Sequence, residues 1–263
     1  NATLKPVAER LNKFIPVKFI PELFNDDIHG IAENLLEGEV LMLENLRSHE
    51  GEEKNTEEFS AYLASLADFH VNEAFSVSHR KHASVSAITD FLPSYAGLLF
   101  DEEVKNLSVA FHPQRPFLFI LGGAKFETKI PLIEKFMESA DTIFVGGALS
   151  NNFFKEQGKE IGVSTVSQEN YNLKRYFNSP KLMLPIDVVV VKDGVRSVKR
   201  VDDLSTEDSI MDAGPETMAA LKKKINASRS VLWNGPLGLY QDGYKQPTLD
   251  LAAMIADSGA QSV

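Results

Sequence analysis

PFLFILGGAKFETKIPLIEKF, residues 116–136, is the stretch from which the fold is read. From Phe117 to Leu121 it is apolar without alternation, as in a strand covered on both faces in a parallel sheet. It stops at Gly122 and Gly123, after which Ile130, Ile133 and Phe136 return at helical spacing. Thr128 reads as the N-cap, which puts Lys129 at the first helical position and Pro131 in the first turn, where a missing N–H costs little. Strand, glycine turn and helix make half of a βαβ unit. Lys125 and Lys129 then stand at a helix N-terminus, which already carries partial positive charge, so they favour an anion sharing the site. The competing reading pairs them with Glu127 or Glu134 on a solvated surface.

Downstream the same rhythm continues. DTIFVGG, KLMLPIDVVVV, IMDAG and SVLWNGP read as strands of one sheet, and PETMAALKKKI and TLDLAAMIADSG read as helices. Four of these strand ends carry Gly122-Gly123, Gly146-Gly147, Gly214-Pro215 and Asn234-Gly235-Pro236. Glycine there lets backbone N–H groups approach a bulky ligand, and in open α/β sheets ligands sit beyond the carboxyl ends of the strands. Upstream, VKFI, EVLMLENL and FHVNEAF read as strands, with VAERLNKFI, GIAENLLEG and EEFSAYLASLA as helices. In residues 101–116 a charged helical pattern gives way to a segment with two prolines. The expected architecture is therefore α/β: two doubly wound, three-layer, Rossmann-like parallel-sheet domains, residues 1–108 and 109–263.

The 263 residues are 43% hydrophobic and 24% charged, enough for two separate cores. A net charge of −10 argues against nucleic acid as a partner, so any anion site has to be built locally. Without cysteine there is no disulfide, thiolate metal site or cysteine nucleophile. No apolar run approaches the roughly 20 residues that span a bilayer, so a soluble protein is expected; the lack of cysteine fits a cytoplasmic location, and a monomer is expected. The first residue is Asn1 and the last is Val263, and both ends read as cut.

Arg47 follows the strand EVLMLENL, and Arg80 lies in SVSHRKHAS after FHVNEAF. Both fall past a strand's carboxyl end, and guanidinium forks suit phosphate and carboxylate oxygens. Ion pairs with Glu44, Glu50 or Glu73 are the alternative. His79 and His82 lack a third ligand at metal spacing, so no metal held by protein side chains is expected. Neither a Walker A loop nor G-x-G-x-x-G follows any strand, which tells against a dinucleotide-dependent dehydrogenase.

Taken together, LMLENLRSHEGEE, HVNEAFSVSHRKHAS, LPSYAGLLFDEEVKNL, LGGAKFETKI, DTIFVGGALSNNFF, MDAGPET and SVLWNGPLGLYQ resemble, in order, the segments of the phosphoglycerate kinases. The resemblance implies two lobes facing a cleft. It also implies reversible phosphoryl transfer between 1,3-bisphosphoglycerate and ADP, giving 3-phosphoglycerate and ATP, with Mg2+ carried on the nucleotide. By resemblance, Arg47 and Arg80 hold the 3-phosphate of the glycerate. Lys125 balances charge on the transferring phosphoryl group and Lys129 binds nucleotide phosphate. Gly123, Ala124, Gly146 and Gly147 line the nucleoside site, and Asn234, Pro236 and Gly238 form its wall. Gln241 stands where the family generally has a glutamate that hydrogen-bonds the ribose.

The same resemblance marks departures. The family begins with an Asp-x-Asn strand, an arginine and a Ser-His-x-Gly-Arg-Pro turn, and continues past Ser262-Val263 into a Gly-Gly-Gly-Asp turn. Neither is in this sequence. An internal fragment with both domains truncated, inactive or nearly so by itself, is expected on that basis. A non-catalytic nucleotide-binding paralogue is the alternative.

Overall fold

The computed structural model describes residues 3–25, 27–169 and 171–263. The chain divides into two compact units, Asn1–Asn106 and Leu107–Val263. Unit 1 runs α1 (Lys5–Leu11), β1 (Val17–Ile20), α2 (Ile28–Glu33), β2 (Val40–Leu43), α3 (Glu50–Lys54), α4 (Glu57–Ala64), β3 (His70–Asn72) and β4 (Ser94–Ala96). α5 (Leu98–Ser108) crosses the boundary between the units. β1 pairs with β2 and β3 with β4, both in parallel. Phe59 and Leu63 of α4 bury their side chains against Leu23, Ala83 and Ile88, so the α4 face seen as amphipathic in the sequence is the face that packs.

Unit 2 holds β5 (Phe117–Leu121), α6 (Phe126–Ser139), β6 (Thr142–Val145), α7 (Ala148–Glu156), β7 (Leu182–Met183), β8 (Asp187–Lys192), β9 (Val195–Arg200) and β10 (Ser209–Ala213). After these come α8 (Pro215–Asn226), β11 (Ser230–Asn234), α9 (Gln246–Asp257) and β12 (Gln261–Ser262). Five strands form one sheet in the order β12-β11-β5-β6-β7, parallel throughout. β5 is central, and each of its five residues is buried. Alternation along it explains the unbroken apolar run. Phe117, Phe119 and Leu121 face Ile133 and Phe136 of α6 and Phe153 of α7. Leu118 and Ile120 face Leu221 and Ile225 of α8 and Leu251 and Ile255 of α9. A strand with helices on both faces has no solvent side, hence no polar position.

Two readings are corrected. The glycine-ended strands are not all in one sheet: Gly214 follows β10, which pairs antiparallel with β8 in a separate sheet ordered β10-β8-β9. KLMLPIDVVVV is also two strands, β7 and β8, because Pro185 between them has no N–H to continue a ladder. The unforeseen β9 closes a hairpin with β8 through Asp193 and Gly194, both at positive φ, as a tight two-residue turn demands. β9 presents charged residues along an exposed edge, which blunts further pairing. The fold class is nonetheless the expected α/β with parallel sheets.

Candidate functional site

In unit 1, Arg47 rides on a single 3-10 turn, Leu46–Ser48, directly after β2, and Asn45 Oδ1 caps that turn by accepting from Arg47 N at 3.2 Å. Arg47 lines a cavity of about 350 Å³ together with Glu44, Glu52, His82 and Ser84. Arg80 follows β3 and is exposed. The anticipated ion pairs do not form. Glu44 accepts from the Thr3 hydroxyl and from Asn45 N and Leu4 N, the latter two at 2.7 Å, and these bonds, the Thr3 one foremost, hold its carboxyl below the usual range. Glu50 pairs with Lys54 at 2.6 Å, and Glu73 accepts from Phe100 N at 3.0 Å. Among the described residues neither arginine has an ion-pair partner.

Glu52 stitches the two arginine-bearing segments together. Its buried carboxyl accepts from Ser84 Oγ at 2.7 Å and Ser84 N at 3.0 Å, and lies 3.5 Å from His82 Nδ1. Its backbone carbonyl accepts from Ala83 N at 2.9 Å. Glu52 sits on α3, five residues past Arg47, and the 82–84 segment begins two residues past Arg80. His82 is thus tied to a carboxyl and a turn.

In unit 2 the glycines after β5 are fixed by backbone crossing. Gly122 N donates to Asn234 O and Gly123 N to Pro236 O, each at 2.8 Å. A Cβ on Gly122 would overlap the Pro236 carbonyl, so the zipped loops require glycine at this position. Gly147, at φ +62, starts α7. These turns open on a cavity of about 550 Å³. Gly123, Ala124, Gly147, Pro236, Gly238 and Gln241 line it; Gly146, Lys125, Lys129 and Asn234 stand outside the lining.

α6 begins three residues earlier than the sequence suggests. Its N-cap is Lys125, and Thr128, instead of capping, lies in the first turn and returns a bond from Oγ1 to Lys125 O at 3.0 Å. The buried ring of Phe126 packs beside Tyr171 and Phe153 and anchors the helix start, which outweighs the local capping preference of Thr128. Pro131 therefore falls inside the helix. Lys125 is exposed at the cap, and Lys129 hydrogen-bonds Asn234. Burial holds the Lys129 ammonium below its usual value. Glu127 and Glu134 are occupied by Ser167 and Arg175, so the surface pairing alternative is not formed.

Residues that the sequence did not single out also belong to this cavity. Asn151 of α7 lines it, with Nδ2 donating to Thr165 O at 3.0 Å. Asp212 of β10, 3% exposed, follows a register shift in the β10–β8 pairing. Burial pushes its carboxyl up to about 7. In MDAGPET, Asp212 two residues before Gly214 reads as turn chemistry, and nothing in the spacing announces burial. Among the described residues no three acidic or histidine side chains converge as a metal site.

Comparison with known proteins places these two units. The family model for phosphoglycerate kinase matches residues 1–263. The phosphoglycerate kinase of Coprothermobacter proteolyticus is 38% identical over 96% of this chain and 66% of its own length, and that of Dictyoglomus turgidum 37% over 97% and 68%. Among solved structures, phosphoglycerate kinase from Coxiella burnetii superposes with a TM-score of 0.80 at 32% identity, covering 99% of this chain and 69% of that one. The Pyrococcus horikoshii enzyme gives 0.82 at 25%, covering 98% and 71%. The chain thus spans about two thirds of the length of the relatives it matches.

Proposed function

This chain belongs to the phosphoglycerate kinase family, and from that premise we propose that its two units serve reversible phosphoryl transfer between 1,3-bisphosphoglycerate and ADP, yielding 3-phosphoglycerate and ATP. The observation that carries the reading is the cavity of unit 2: glycine turns at the carboxyl ends of parallel strands, beside a helix whose N-cap is Lys125. Gly123, Ala124 and Gly147 line the cavity and the helix mouth with Lys125 follows Ala124 directly, and a polyphosphate is the guest that suits glycine backbone, helix dipole and lysine charge together. Arg47 and Arg80 supply forks for the phosphate of the glycerate.

Phosphoryl transfer spreads charge over equatorial oxygens in a loose transition state, so positioning and cations do most of the work. A carboxylate acceptor needs no general base, so the scheme calls for no catalytic His–Asp pair. Lys125, exposed at the cap, balances the charge in flight, while Lys129 steadies the nucleotide phosphates. Magnesium would be carried on those phosphates, which with water supply the hard oxygens it prefers. The domains are taken as residues 1–108 and 109–263, and a cytoplasmic monomer is proposed.

Since the chain spans about two thirds of its relatives' length, turnover by these 263 residues alone is expected to be slight, and binding is the sharper test. Titration with ADP and, separately, with 3-phosphoglycerate should each saturate. ADP binding should be lost on Lys125→Ala/Lys129→Ala, and 3-phosphoglycerate binding on Arg47→Ala/Arg80→Ala. Absence of both bindings from the unsubstituted chain would refute the proposal. Nucleotide binding without turnover is a second reading, favoured by Gln241 alone.

A further inference from the structure

Asp212 is nearly the last residue of β10 and is buried. Its Oδ1 accepts from Ala213 N at 2.8 Å, while Oδ2 has no hydrogen-bond partner among the described residues. The carboxyl lies directly beneath Gly238, where a Cβ would overlap it. One residue along, Leu239 N donates to Met211 O at 3.0 Å. The cavity wall therefore rests on two consecutive residues of β10. Its other anchor is Leu237 N, which donates to Thr248 Oγ1 of α9 at 3.0 Å.

We propose that Asp212 is a positioning residue for this wall: its carboxyl sets the depth at which Gly238 sits, and through that the grip of the cavity on a purine nucleoside. The inference rests on the nucleotide reading of the cavity.

The physical reason is the orphaned oxygen. A neutral carboxylic acid tolerates such a place, whereas an ionised one with a free, desolvated oxygen is costly. Burial pushes the carboxyl up to about 7, so the change of charge falls within the ordinary working range. The charged groups whose fields reach it are Arg196 on β9 and Asp250 on α9, opposite in sign. Asp242 lines the same cavity. Once ionised, the carboxyl needs water or a backbone N–H, and the wall at Gly238 has to lift to provide either.

Adenosine is the probe, because it has no titrating group near neutral pH and any slope belongs to the protein. Adenosine titrated into the 263-residue chain between about pH 5.5 and about pH 8.5 should bind about fivefold more weakly at the upper end, roughly 0.7 of one pH unit's free energy. Asp212→Asn should keep the tighter, low-pH affinity throughout. Asp212→Glu, which pushes one methylene further against Gly238, should bind weakly at every pH. A flat profile in the unsubstituted chain, or the same slope in Asp212→Asn, would overturn the role given to Asp212 while leaving the nucleotide reading intact. The unsubstituted profile decides by itself should a variant fail to fold. Failure of both adenosine and ADP to bind at any pH would instead overturn the nucleotide reading, and this inference with it.

Discussion

Replacing Asp212 by asparagine should stabilise unit 2 in a pH-dependent way. The carboxyl is raised from an ordinary value near 3.8 to about 7 because burial disfavours its charge. Between those values the folded chain holds a proton that the unfolded chain has released. Stability therefore falls as pH rises through that window and is level above about 7. The full interval corresponds to about 4 kcal/mol as an upper bound, and relaxation of the wall around the charged form reduces the expected cost to about 2–3 kcal/mol. Asparagine keeps the acceptor for Ala213 N and cannot ionise. The variant should match the parent near pH 4 and exceed it by about 2–3 kcal/mol near pH 8. Urea unfolding followed by fluorescence is suited to this, since the single tryptophan, Trp233, lies on β11 with its Nε1 donating to Gly235 O at 2.7 Å. Glu127 and Asp208 of the same unit titrate below their usual values and tilt the curve in the opposite direction. The difference between parent and variant, rather than either curve alone, isolates Asp212. A difference that does not grow between pH 4 and pH 7, or one that shrinks, refutes the reasoning.

In a form competent for turnover, Lys125→Ala should lower kcat far more than it raises the nucleotide KM, because its charge matters most while the phosphoryl group is in flight; a raised KM with kcat unchanged would assign it to binding instead. Arg47→Ala and Arg80→Ala should each weaken 3-phosphoglycerate binding by about 10- to 100-fold, the range for charged hydrogen bonds, without altering ADP affinity in calorimetric titration. Gln241→Glu should tighten ADP by about 1 kcal/mol through a charge-assisted bond to the ribose, and equal affinities would remove that role. Glu52→Gln should weaken 3-phosphoglycerate binding and lower the stability of unit 1 by about 1–3 kcal/mol, since the amide leaves the Ser84 and His82 contacts mismatched; unchanged values on both counts would show that the stitch does not matter.

What was legible in the sequence followed from burial on two sides. FLFIL had to be a central strand, because only a doubly covered strand has no polar position, and the glycines beyond it are required by the crossing of the 122–123 and 234–236 backbones. The β8–β9 hairpin was also readable, since Asp193-Gly194 between two β-rich runs is a hairpin signal. The apolar run VVVV instead reads as the continuation of one strand with KLMLP, and only Pro185 argues against that continuity. The start of α6 was set by tertiary packing. Thr128 is the better cap in isolation, but the buried ring of Phe126 moves the boundary, and with it Lys125 becomes the residue at the helix mouth. Asp212 was the least readable, because its character comes from what lies above it. The residue above is Gly238, 26 positions later in sequence, and the missing side chain there is what makes room for the carboxyl. An aspartate and a glycine on different elements read separately as a turn former and a flexible joint. Only when stacked do they become a load and its support, which is why a side chain added above the carboxyl, as in Gly238→Ala, should disturb the wall that both maintain.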